Sequence, residues 1–325
     1  VARQPTTTTG PTFAEAFDRV VANVERVIQG KTEAVRLAVC CLVAEGHLLI
    51  EDVPGVGKTS LAKALATTLG CTWRRIQFTP DLLPSDVTGA SVYNRGNGDF
   101  EFRPGPVFAN LLVADEVNRA SPKTQSSLLE AMEERQVTAD ASTWPLPAPF
   151  MVIATQNPIE HEGTYPLPES QLDRFLMRVP MGYPDRSSEI AMLDTHGAGS
   201  TSAVDDLDPV ASPAQVQAMV RAARSVHVAP GIKAYLVDLA EATRSNASLA
   251  LGVSPRATLA LQRAARAWAA AQGRDFVVPD DVKALAGPVL EHRLVPSTSG
   301  SLGGVGPGQA LRDSLASVPV PVGRG

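Results

Sequence analysis

The stretch HLLIEDVPGVGKTSLAKALATTLG, residues 47–70, constrains this chain more than any other. A short apolar run, HLLIE, leads into glycines and then into a helical pattern that Gly70 closes. A strand that turns through glycines into a helix is the frame of a phosphate-binding loop, whose strict pattern is G-x-x-x-x-G-K-[ST]. Gly57, Lys58 and Thr59 fill its last three places, preceded by Pro54, Gly55 and Val56 and followed by Ser60, but Asp52 stands where the first glycine belongs. Gly55 and Gly57 allow backbone N–H groups to turn toward phosphate oxygens, and the helix beginning near Lys58 adds its positive end. In such a loop Lys58 contacts the β- and γ-phosphates and the Thr59 hydroxyl ligates Mg²⁺. Aspartate tolerates left-handed backbone better than most residues, so Asp52 is compatible with the turn. The plain alternative is an ordinary strand-to-helix connection.

Further apolar runs, WRRIQF, LLVADE and FMVIATQN, each carry polar residues toward their C-terminal ends. Alternating with helical stretches over residues 13–182, they predict an α/β domain with a mostly parallel sheet, whose ligands bind beyond the strands' carboxyl ends. FAEAFDRVVANVERVI has helical apolar spacing and ends near Gly30. Residues 183–295 lack good strands and read as a small helical domain. Ser212-Pro213 and Ser254-Pro255 open two of its helices in cap and first-turn positions, and Gly273 closes the second. Residues 1–12 read as a flexible tail, and residues 296–325, rich in Gly, Ser and Pro, as a disordered one.

With 325 residues, 44% hydrophobic and 19% charged, the chain has material for two domains with a sizeable core. Its net charge of −5 argues mildly against a main task of gripping nucleic acid. Cys40, Cys41 and Cys71 form no C-x-x-C pair, and the five histidines have no metal-binding spacing. No run approaches a membrane span and the N-terminus lacks an apolar signal core, so the expected location is cytoplasmic.

The stretch NLLVADEVNRA, residues 110–120, is an apolar strand ending in Asp115-Glu116, a Walker-B pattern. After a phosphate loop, Asp115 would hold Mg²⁺ and Glu116 would activate the attacking water as base. MVIATQNP delivers Asn157 to the same sheet edge, where a neutral amide orients water without adding charge; otherwise Asn157-Pro158 merely starts a turn.

Phosphate loop, ADE, ATQNP, QLDRF and a lid-domain SPRA together resemble an AAA+ ATPase. DEVNRASPKTQSSLLEAMEERQVT and EGTYPLPESQLDRF are similar to the MoxR branch, which also departs from the loop pattern at its first glycine. The resemblance runs from about residue 25 to 295 and implies a P-loop AAA+ core, mostly parallel, followed by a helical lid. It makes Asn157 sensor 1 and Arg174 the arginine finger that reaches a neighbouring subunit's nucleotide. Arg119 and Arg178 are rivals for the finger, and a salt bridge to Asp173, Glu169 or another acid is the structural alternative. Arg256 matches sensor 2, a lid residue on phosphate whose bland reading is a solvated helix end, and Gly30 falls in the adenine-side loop. The resemblance also implies ATP and Mg²⁺, a homo-oligomeric ring, most simply a hexamer, and a chaperone role with von Willebrand factor A-domain partners.

Residues 90–108 and 136–150 read as two inserted hairpins; the second carries no Lys or Arg, which suits a phosphate backbone poorly. A helicase-type nucleic-acid motor and a magnesium-chelatase-like ATPase subunit are the alternative functions.

Overall fold

The computed structural model describes residues 11–51, 57–96, 98–139, 142–156, 164–183 and 206–321, with 186, 187, 189, 190 and 204 between the last two. Helix α1 (Phe13–Glu25) opens with a capping box in which Thr12 and Glu15 bond each other's backbone N–H groups, so Thr12 belongs to the helix rather than to a tail. Residues 1–10 lie outside the described residues.

Helix α2 (Thr32–Val43) leads to strand β1 (Leu48–Glu51), and helix α3 (Lys58–Thr68) follows the phosphate loop. Strand β2 (Trp73–Gln77), helix α4 (Pro84–Thr88) and a hairpin of β3 (Gly89–Asn94) with β4 (Asp99–Pro104) come next. Strand β5 (Leu111–Asp115), helix α5 (Pro122–Glu134), a second hairpin of β6 (Gln136–Ala139) with β7 (Ser142–Pro145), and strand β8 (Met151–Gln156) complete the middle of the domain. Helix α6 (Glu169–Leu172) and strand β9 (Met177–Arg178) end it.

Among the described residues, five strands form one sheet in the order β2-β5-β8-β1-β9, with every pairing parallel. Central strands of a parallel sheet are covered on both faces, which is why LLVAD and MVIAT read as continuous apolar runs. Alternate side chains separate the two layers. Leu111, Val113, Met151 and Ile153 join the core shared with α1, α2, α3 and the lid. Leu112, Ala114, Val152 and Ala154 face Leu128, Leu129 and Met132 of α5. Both expected hairpins are present, and Phe102 of β4 stacks on Trp144 of β7 with ring centroids 4.9 Å apart, joining them into one projection.

In the lid, helices Pro213–Ser225 and Pro255–Ala271 pack against α2, the latter also against α1, while Pro230–Ser245 and Pro279–Leu290 pack on Pro255–Ala271. Ser212 and Ser254 cap their helices through side-chain oxygens as their sequence positions predict. The lid also holds a two-stranded ribbon, Leu249–Leu251 with Val295–Pro296, that the sequence reading did not anticipate.

The expectation of a disordered segment from residue 296 is corrected. Helices Thr298–Leu302 and Pro307–Ser317 lie within it, and Ala310, Leu311 and Ser314 of the second are buried. Asn246 donates to the Ala310 carbonyl and the Ser314 hydroxyl, tying that helix to Pro230–Ser245. Residues that read as linker, Ser297 and Pro307, are the cap and first-turn residues of these helices. Residues 322–325 lie outside the described residues.

His47 ties three elements of the core together. Its Nε2 is 3.0 Å from the Met132 carbonyl oxygen, and its Nδ1 accepts the Val152 N–H at 2.9 Å, which fixes the neutral tautomer. Burial, aided by the nearby Arg135 and Arg263 charges, pushes its pKa down to about 3. The unfolded chain therefore takes up a proton below pH 6.5 that the folded chain refuses, so stability falls as pH falls. At about 1.4 kcal/mol per pH unit, this one side chain removes roughly 2 kcal/mol between pH 6.5 and 5. Denaturant melts of wild type and His47→Gln should show a shallower acid slope in the variant, whatever its stability at pH 7.5.

Candidate active site

The parallel sheet brings Glu51, Gln77, Asp115, Gln156 and Arg178 to one carboxyl edge, with Gln77 paired to Asp115 and Glu51 to Gln156. Helix α3 starts beside it. Gly57 precedes Lys58 with φ of +89°, a left-handed geometry in which any side chain would be strained. The α3 N-terminus therefore opens onto the sheet edge, with its positive dipole end directed there.

Gly57, Lys58, Thr59, Ser60, Asp115 and Glu116 line a cleft of about 330 Å³, together with Arg75, Gln77, Thr155 and Gln156. The Thr59 hydroxyl lies 3.4 Å from Asp115 Oδ2. The Thr155 hydroxyl donates to Asp115 Oδ1 at 3.2 Å and accepts the Glu116 N–H at 2.9 Å. Strand β8 thus orients both Asp115, the last residue of β5, and Glu116, which follows it. Glu116 holds φ 54°, ψ 50°, a left-handed conformation rare outside glycine. That turn carries its carboxylate out of the sheet, where Gln77 Nε2 donates to Oε2 at 2.9 Å and Arg119 Nη1 at 3.1 Å.

The hydroxyl of Thr59 and the carboxylate of Asp115 converge as hard oxygen donors, which suits Mg²⁺. Among the described residues no three His, Cys, Asp or Glu side chains form a metal cluster. A Mg²⁺ that arrives with nucleotide takes much of its shell from phosphates and water, so two protein donors are sufficient.

A second pocket, of about 650 Å³, is lined by Glu51, the last residue of β1, whose register partner Gln156 lines the cleft. Gly30, Val179, Pro288 and Glu291 line it, as does Arg178, whose Nη1 is 3.0 Å from Glu51 Oε2 and whose Nη2 is 3.5 Å from Glu291 Oε1. Arg178 and Arg119 are thus both engaged with acids of their own nucleotide-side surface, Arg119 with Glu116.

Arg174 stands elsewhere. Its Nη1 is 2.9 Å from the Leu129 carbonyl oxygen and 3.1 Å from Glu133 Oε2 on α5. Arg256 reaches the same carboxylate, Nη1 to Glu133 Oε1 at 2.9 Å, and its Nε is 3.8 Å from Asp173. Neither arginine lines the cleft, so the lid residue expected on phosphate is instead beside the expected finger. Asp173 is itself held by the buried Arg293, Nε to Oδ1 at 2.6 Å. Pro54, Gly55, Val56 and Asn157 lie outside the described residues.

Sequence reasoning missed Arg75, Gln77, Thr155 and Glu133. Arg75 and Gln77 alternate on β2 and therefore share one face at the sheet edge, a signal that was present in WRRIQF. Thr155 lay in plain view between Ala154 and Gln156. Glu133 carries no local signal, since its partners are 41 and 123 positions away.

A family profile described as "ATPase family associated with various cellular activities (AAA)" matches residues 47–177, and an AAA lid domain profile matches residues 241–306. Uncharacterized protein YeaC of Bacillus subtilis is 47% identical over 94% of this chain and 95% of its own length. Chaperone MoxR1 of Mycobacterium tuberculosis is 40% identical over 94% of this chain and 82% of its own. The crystal structure of a candidate ATPase from Cytophaga hutchinsonii superposes with a TM-score of 0.88 at 37% identity, covering 95% of this chain and 96% of that one. With core, lid and relatives in agreement over nearly the whole length, this chain belongs to the MoxR family of AAA+ ATPases.

Proposed function

We propose that the chain is a Mg²⁺-dependent ATPase that works as a ring, most simply a hexamer, and uses ATP turnover to remodel or mature protein complexes. The observation that carries this reading is the convergence of Thr59, Asp115 and Glu116 on one open cleft at the first turn of α3. The loop amides and Lys58 bind and orient the β- and γ-phosphates. Glu116 takes the proton of the attacking water, and Asn157 orients that water. Mg²⁺ held by Thr59 and Asp115 supplies charge neutralisation on the phosphates. The adenine side is received by the larger pocket, with Gly30 in its wall.

Arg174 completes the site of a neighbouring subunit. It lies with Arg256 on a shared acid away from its own cleft, so one surface presents both cations to the next protomer. The chaperone role is supported by the relative named for it, and a von Willebrand factor A-domain partner by the family resemblance. No described helix is long and apolar enough to cross a membrane.

Phosphate release measured against protein concentration tests the reading. Wild type should hydrolyse ATP in Mg²⁺ but not in EDTA, with activity per subunit rising as the chain assembles. Lys58→Ala should lose nucleotide binding and with it all turnover. A dilute monomer as active as the assembled form would remove the ring from the mechanism.

A further inference from the structure

Asp115 already has a cation. Arg75 reaches along the sheet face from β2 and places Nε 2.5 Å from Asp115 Oδ2, the oxygen that also faces the Thr59 hydroxyl. The carboxylate is almost buried and the guanidinium half-exposed, so one partner is fixed and the other is free to swing outward. A buried carboxylate is costly without a counter-charge, and Arg75 supplies one at the position where a divalent cation would be ligated. Guanidinium and metal cannot share that oxygen, because like charges at ligand distance repel strongly in a partly dry site.

The same guanidinium is bonded a second time. Arg75 Nη2 donates to Gln77 Oε1 at 3.1 Å, and Gln77 Nε2 donates to Glu116 Oε2 at 2.9 Å. A continuous chain therefore runs Asp115–Arg75–Gln77–Glu116, from the metal-side acid to the candidate base. Gln77 has one amide to orient, and Arg75 fixes it with the carbonyl inward and the NH₂ on Glu116.

We propose that Arg75 is a built-in stand-in for the divalent cation on Asp115 and gives up that carboxylate when metal and nucleotide bind. The inference rests on the assignment of Thr59 and Asp115 as the metal side. Lysine cannot reproduce the arrangement, because a point charge lacks the fork that bonds Asp115 and Gln77 together.

The test uses full-length protein with Mn²⁺ as the metal and a non-hydrolysable ATP analogue as the nucleotide. The spin resonance signal of free Mn²⁺ reports metal binding, and a fluorescent ATP analogue in EDTA reports nucleotide binding without metal. Arg75→Ala should bind Mn²⁺ at least tenfold more tightly than wild type, with nucleotide affinity in EDTA unchanged within about threefold. Arg75→Lys should fall between the two in Mn²⁺ affinity. Unchanged or weaker Mn²⁺ binding in Arg75→Ala overturns the proposal; weaker binding of nucleotide in EDTA would make Arg75 a phosphate ligand instead. A wild type that binds no nucleotide in either condition overturns the nucleotide site itself, and the proposal with it.

Discussion

Glu116→Gln should keep ATP bound and lower its turnover by about 10²–10⁴-fold, the range over which a positioned general base acts. The substitution preserves shape and the hydrogen bond to Arg119 can be lost without moving the backbone, because the left-handed turn is held by the Thr155 hydroxyl on the Glu116 N–H. The Lys58 and Thr59 side of the cleft is untouched, so nucleotide affinity should change by less than about threefold. Filter binding of labelled ATP and single-turnover phosphate release separate the two quantities. A variant that turns over at the wild-type rate would place the base elsewhere. A variant that no longer binds ATP would mean that Glu116 holds the cleft together rather than activating water.

Arg174→Ala should abolish the rise of activity with protein concentration while leaving ATP binding intact. Arginine fingers in other phosphoryl-transfer enzymes are worth about 10³–10⁵ in rate, equivalent to about 4–7 kcal/mol of transition-state stabilisation. The competing attraction is small. Arg174 and Glu133 are each about one-third exposed, and ion pairs in such settings contribute about 0–1 kcal/mol. Releasing the Glu133 pair would therefore cost much less than a finger contributes to the transition state. Sedimentation run beside the activity assay distinguishes a lost finger, in which assembly persists, from a lost interface. If Arg174→Ala retains the concentration-dependent rise, Arg256 on the same carboxylate is the next residue to remove.

The parts of this fold that could be read from sequence are those fixed by neighbours in the chain. The strands β1, β5 and β8 announce themselves because burial on both faces demands unbroken apolar runs, and Ser212 and Ser254 mark helix starts because a cap is a local bond. The same locality misled at residues 296–325. Gly, Ser and Pro there are caps and first turns, and the apolar face they serve consists of a few residues, Ala310 and Leu311 chief among them. Thr59, Asp115 and Glu116 were legible because strand ends and helix starts meet at one edge of a parallel sheet. The placement of Arg256 was not, because it depends on Glu133 and Asp173, which reach it through the packing of lid on core. Arg75 and Gln77 sat on a strand whose end carries no acid, and their importance emerges from the register that sets Gln77 opposite Asp115.

Arg178 spans the junction of core and lid, and its two bonds are unequal. It lies 3.0 Å from Glu51, at the root of the phosphate loop, and 3.5 Å from Glu291, just beyond the lid helix Pro279–Leu290. One side chain therefore couples the strand end that leads into the phosphate loop to the lid-side wall of the larger pocket, so a change in the angle between core and lid acts on both of its bonds at once.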